Sequence, residues 1–265
     1  MAGPSAPQVV AGQLAWAVVS LGAALLLLGV SILPFLTPAW IHFEQDRAGS
    51  AAFTGYDAAT VSRVTDSIVH DLLLGGDFAV SAATPGCQGA SACAPVQVLD
   101  SREVSHMQDV RGVFQGLALL VLASFALVAG AWLAARRRAT WRLAWWRAIG
   151  RGGRWLAVFM VVVGVLSVVA FDAAFEVFHE LLFPAGSFSF DPRTERLVQL
   201  FPDQFWSETS LALGILALAL SIAVAVVAVR RASRAGRDAA GADLAVTASG
   251  GSGPAQAALP RRSAP

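Results

Sequence analysis

Four long apolar runs constrain this chain more than any other feature. They cover Leu14–Leu33, Gly112–Ala135, Trp155–Phe171 and Leu211–Val229. A hydrocarbon core of about 30 Å needs roughly 20 helical residues to cross it. A backbone in lipid must satisfy its own hydrogen bonds, so each run is read as a helix. The composition agrees, with 56% of the 265 residues hydrophobic and 14% charged, where soluble domains carry about a quarter charged. The expected fold class is an all-α integral membrane protein, with four transmembrane helices and a small mixed extracytoplasmic cap.

Arginine placement orients the spans. Residues 136–154 carry seven Arg and no acid, and 230–265 carry six Arg and two acids. By contrast, 37–111 carry four Arg and nine acids, and 172–208 carry two Arg and seven acids. The positive-inside rule then puts both termini in the cytoplasm and the two acidic segments outside. The expected order is a cytoplasmic tail at 1–12, spans at 13–36, 112–135, 155–178 and 209–229, an outer cap at 37–111 and an outer aromatic loop at 179–208. A basic cytoplasmic loop at 136–154 and a disordered cytoplasmic tail at 230–265 complete it. Arg beside Trp141, Trp145 and Trp146 in the basic loop is read as an interfacial helix. A short loop tethered at both ends is a poor duplex site, so membrane lipids are expected as partners and nucleic acid is not.

The cap has local signals of its own. Thr60–Leu74 places Val61, Val64, Ile68 and Leu72 on one helical stripe, and Gly75-Gly76 ends it. Phe78–Ala82 and Val96–Leu99 are short strand candidates. Asp100 to Glu103 reads as a capping box, opening a helix that runs unbroken into the second span. Cys87 and Cys93 lie in the loop between the strand candidates. Their outer location and close spacing predict a disulfide, with two free thiols as the alternative. Neither has a basic neighbour that would make it a nucleophile.

All four histidines fall on the outer side, and His42, His106 and His179 sit near the ends of three different spans. A bundle brings such ends together, and imidazole suits proton transfer near neutral pH. On a continued third helix Asp172, Glu176 and His179 lie at i, i+4 and i+7, so the two acids could orient the ring; alternatively they mark a helix end in water. Asp109 lies one turn beyond His106 on the same face. His42 and His70 read as surface residues. No metal is expected, since His106, His179 and Glu180 lack an HExxH-type spacing. No G-x-S-x-G elbow and no phosphate-cradling loop occurs either.

Two segments resemble the lipoprotein intramolecular transacylases. One is Phe178-His179 with Phe183, Asp191-Pro192, Thr194, Leu197-Val198, Leu200-Phe201-Pro202 and Phe205-Trp206; the other is Glu103, His106-Met107, Asp109-Val110 and Arg111. Glu195 stands where that family leads one to expect Asp, and the cap between Asp77 and Val98 has no counterpart in the resemblance. The resemblance implies a cofactor-independent acyltransferase that moves the sn-2 acyl chain of a diacylglyceryl lipoprotein to the amine of its N-terminal cysteine. It implies His106 and His179 as the catalytic pair, with His179 as base and His106 as acid or oxyanion donor, or the reverse. Phe175, Phe178, Phe183, Phe205 and Trp206 are the expected pocket, with Phe171, Phe188, Phe190 and Phe201 further aromatics of the same region; an interfacial aromatic belt is the competing account. A non-catalytic envelope scaffold with the same topology remains the alternative, and it predicts that neither histidine matters. A transporter would want ionisable groups near the midplane, which the four runs lack.

Overall fold

The computed structural model describes residues 6–87 and 93–250. Its helices are α1 (Ala6–Ile32), α2 (Pro38–Ala48), α3 (Ser50–Thr54), α4 (Ala58–Leu74), α5 (Ser101–Ala135), α6 (Ala139–Val169), α7 (Phe171–Leu182), α8 (Arg196–Leu200) and α9 (Asp203–Gly250). Strands β1 (Ser81–Ala83) and β2 (Pro95–Gln97) form an antiparallel pair with Ala82 opposite Val96. The four apolar runs lie in α1, α5, α6 and α9, each long and apolar enough to cross a membrane. Leu119, Leu122, Val158, Val165 and Ile215 are all more than half exposed. Side chains of this kind in such number fit lipid and not water.

Glycines set how closely the bundle packs. α6 packs most extensively on α9 and α1. A Cβ at Gly152 would lie 2.3 Å from the Ser20 carbonyl oxygen of α1, and one at Gly153 would lie 2.9 Å from the Ser221 carbonyl of α9. No larger residue fits at this crossing without moving backbone.

The cap rests on the α5 end of the bundle. Val61, Val64 and Ile68 of α4 meet Phe78, Leu99 and Leu200 in one core. Asp57 caps α4 by accepting the Thr60 N–H at 3.0 Å, and Gly75, at φ 94°, ends the helix. Phe78 follows in a left-handed turn at φ 57°, its N–H held by Asp71 at 2.9 Å and its ring covered by the Arg111 guanidinium at 4.6 Å. Cys87 and Cys93 are joined by a disulfide, with Cα atoms 5.3 Å apart. The five residues between them, and the chain ends at 1–5 and 251–265, lie outside the described residues.

Three expectations are corrected. The basic stretch 136–154 is not a separate interfacial helix: from Ala139 it is the first half of α6, buried at Ala148, Ile149, Gly150, Gly152 and Gly153. Its glycines let two neighbouring helices cover it. The third span does not continue unbroken through Phe178: Ala170, at φ −149° and ψ 62°, interrupts it, and a new helix starts at Phe171. Asp172 falls in the first turn of that new helix, where a negative charge meets the positive end of the helix dipole. The segment from residue 230 is helical as far as Gly250 rather than disordered. It is rich in Ala and Arg, both strong helix formers, and meets no proline before Pro254.

Candidate active site

His106 lies near the start of α5, outside the apolar stretch 112–135. At 1.5 Å per residue, this 35-residue helix far exceeds a ~30 Å hydrocarbon core, so its charged end projects beyond it. The capping box fixes that end. Asp100 accepts the Glu103 N–H at 2.8 Å, and Glu103 accepts the Asp100 N–H at 2.7 Å. The other oxygen of Glu103 accepts the Leu197 N–H at 2.6 Å. This carboxylate is 1% exposed. Burial pushes its pKa up, against the two N–H bonds that lower it. Glu103 thereby ties α8 to the helix that carries His106.

His179 comes from α7. Its Nδ1 lies 2.8 Å from the Phe175 carbonyl oxygen. A carbonyl only accepts, so Nδ1 carries the hydrogen and Nε2 keeps its lone pair when the ring is neutral. The His106 and His179 rings are 6.2 Å apart and 25° from parallel. Phe183 touches both, at 4.9 and 5.5 Å. Phe190 adds a wall beside His106 at 5.4 Å. Phe175, Phe178 and Phe188 surround His179 at 4.1, 5.3 and 5.2 Å. Trp206 extends the wall from Phe175, 6.2 Å away.

Burial governs the charge of His106. His106 is pushed down to about 4, first by burial and then by His179, while Asp109 pulls the other way. It is therefore a neutral imidazole at neutral pH. Its Nδ1 is buried and has no hydrogen-bond partner among the described residues. An unmet buried polar atom costs roughly 1–3 kcal/mol, so a polar group entering this pocket gains by meeting it.

The expected site residues divide clearly. His106, His179, Phe175, Phe178 and Phe183 come together. Asp172 and Glu176 do not join them: both are exposed, and neither bonds to His179. The main-chain carbonyl of Phe175 orients His179 instead. Asp109 bears on His106 through its charge alone. Phe205 faces a different cluster, with Ile41, Ala48 and Phe201. His42 pairs with Asp66 at 2.8 Å and His70 with Asp71 at 3.3 Å, both within the cap. Among the described residues no three His, Cys, Asp or Glu side chains gather as metal ligands.

Sequence reasoning missed a clamp over this pocket. The Arg102 guanidinium donates to the Glu195 carboxylate and, at 2.9 Å, to the Ser189 carbonyl. It also lies over the Phe190 ring at 4.9 Å. Glu195 in turn accepts the Asp191 N–H. The retained negative charge at 195 was the only available signal, and nothing in the sequence pairs it with a residue 93 positions away.

Comparison with known proteins places the chain among relatives. The family described as lipoprotein intramolecular transacylase Lit matches residues 16–206. A protein of Aquifex aeolicus (strain VF5), described as uncharacterized, is 29% identical over 125 residues, which are 46% of this chain. The chain spans about half the length of that relative, 53%. The fold is similar to the in meso structure of the membrane integral lipoprotein intramolecular transacylase Lit from Bacillus cereus. The TM-score is 0.66 at 19% identity, covering 87% of this chain and 99% of that one. Two structures of the same Bacillus cereus protein, each with one histidine substituted, give TM-scores of 0.62 and 0.63 at 17% identity; both cover 86% of this chain, and 94% and 96% of those.

Proposed function

The chain belongs to the lipoprotein intramolecular transacylase family, and on that premise we propose that it moves the sn-2 acyl chain of a diacylglyceryl lipoprotein onto the α-amine of the lipoprotein's N-terminal cysteine. The product is an N-acyl lipoprotein with a free sn-2 hydroxyl. The observation that carries this reading is the stacked pair His106 and His179, enclosed by aromatic rings where α5 and α7 meet. With the arginine-rich end of the bundle in the cytoplasm, the pair faces the extracytoplasmic side.

The roles follow from the nitrogen that each ring leaves available. The α-amine must be neutral to attack, and its ordinary pKa is about 7.7–8. As its nitrogen attacks the ester carbonyl, the amine gives a proton to Nε2 of His179, the nitrogen that the Phe175 contact leaves free. The C–O π bond opens to an oxyanion. His106, neutral and buried, donates an N–H to that oxyanion without adding a charge. Collapse breaks the bond between the acyl carbon and the sn-2 oxygen, and His179 returns its proton to that oxygen. One proton is borrowed and returned, so the cycle balances without a cofactor. Nucleophile and ester belong to one molecule, and the transition state closes a roughly eight-membered ring through the thioether. Such rings form slowly unless both ends are held, and holding them is the task of the aromatic wall.

Fragmentation mass spectrometry of a lipoprotein co-expressed with this chain tests the proposal. An acyl group should appear on the cysteine amide and disappear from the glyceryl fragment. His106→Ala and His179→Ala should each slow this by about two to four decades while the protein still inserts and folds. Near-full turnover in either variant would show that the pair is not catalytic.

A further inference from the structure

We propose that the arginine-rich end of the bundle holds a second site, a cavity between α6 and α9 that binds the phosphate group of an anionic phospholipid. The cavity measures about 500 Å³ and is lined by Arg147, Arg151 and Arg154, with Trp146, Gly150 and Gly236 around them. It lies far from the histidines: the apolar half of α6, from Arg154 to Val169, separates them by about 22 Å.

The charge here is unbalanced in a particular way. Arg147, Arg151 and Arg154 fall at i, i+4 and i+7, on one face of α6. Among the described residues none of the three forms an ion pair, and the one nearby acid, Asp238, pairs with Arg142 at 3.5 Å. No acid occurs in α6, and none in α9 between Glu208 and Asp238. Like charges one turn apart repel. Arginines serving only to orient the spans have no need to share a face or to line a gap between two helices. An anion in the gap supplies the missing charge.

The shape selects the anion. Small residues on both helices, Gly150 on α6 and Ala228, Ala232 and Gly236 on α9, leave the space open. Arg151 is half-buried and held in place by the Ser20 hydroxyl of α1 at 3.3 Å. Guanidinium forks match phosphate oxygens in pairs, and basic pockets between spanning helices take lipid headgroups. A lipid fits better than free phosphate. Trp155, Val226 and Val229, exposed by 48%, 43% and 53%, give acyl chains an apolar surface beside the same arginines.

Native mass spectrometry tests this on the full chain, extracted from nanodiscs of equal parts phosphatidylglycerol and phosphatidylcholine. The wild-type protein should retain phosphatidylglycerol in preference to phosphatidylcholine. Arg147→Gln/Arg154→Gln should lower that retention about tenfold or more, the effect of losing charge-assisted bonds. Arg230→Gln/Arg231→Gln removes the same charge outside the cavity and should leave retention near wild type. Should the first variant fail to fold, Arg147→Lys/Arg154→Lys keeps the charge but loses the forks, and it should also retain less lipid. Equal retention in the cavity variants and wild type, or equal loss in the two Gln pairs, overturns the site. If inorganic phosphate in lipid-free detergent raises the melting temperature as much as phosphatidylglycerol does, the ligand is a free anion and the lipid assignment is wrong.

Discussion

At the scale of single residues, what distinguishes His106 is that the fold keeps it neutral. Its folded pKa lies near 4, against an ordinary value of 6.5. Between those values the unfolded chain binds the proton more readily than the folded one. Lowering the pH from 6.5 towards 4 therefore favours unfolding, and above 6.5 the residue adds no slope. Melting temperatures in detergent at pH 7 and pH 5 should fall further for the wild-type protein than for His106→Gln. An equal fall in both would mean that His106 is not held neutral by burial. The histidines were legible in sequence because few residue types do proton transfer, and only the ends of spans bring them together. The partner that orients His179 was not legible, because it is a main-chain carbonyl that every residue possesses. Asp172 and Glu176 had the right helical spacing and still remain exposed, with no bond to His179.

At the scale of elements, the aromatic loop between α7 and α8 is held over His106 by a few polar contacts. Arg102 clamps Ser189 and Glu195 and stacks on Phe190, whose ring is 5.4 Å from His106. Arg102 is half exposed, and such pairs contribute only about 0–1 kcal/mol to stability. Arg102→Gln should therefore barely move the melting temperature, yet lower kcat by up to about a hundredfold through misplacement of the loop. The swap Arg102→Glu/Glu195→Arg should recover part of the loss. Unchanged kcat in Arg102→Gln would show that the loop does not need the clamp. Local sequence signals located α4 and the start of α5, since caps, glycines and apolar spacing act over a few residues, whereas the strand candidates at 78–82 and 96–99 overlap β1 and β2 by two residues each. The break at Ala170 escaped them, because the residue is an ordinary helix former and carries no local signal to stop.

At the scale of the whole molecule, the span count was legible from hydropathy, which sums over some twenty residues and so survives local errors. The helical continuation of α9 to Gly250 was not, because a composition of Ala, Gly, Ser and Arg suits both a helix and a disordered tail. Orientation rests on the arginine asymmetry. In a background of Cys87→Ser/Cys93→Ser, a membrane-impermeant thiol reagent applied to intact cells should label Ser187→Cys and not Thr140→Cys. Labelling of Thr140→Cys from outside would invert or break the four-span arrangement. In the proposed orientation both histidines face outside, and the proposed reaction is tested most directly by tracing the origin of the acyl chain. A diacylglyceryl lipoprotein carrying an isotopically heavy sn-2 chain, mixed with excess light phospholipid, reveals that origin. Intramolecular transfer by the histidine pair predicts N-acyl product that is entirely heavy with the wild-type protein and nearly absent with His179→Ala. Light acyl chains on the amide, or release of the heavy chain as free fatty acid, would contradict it.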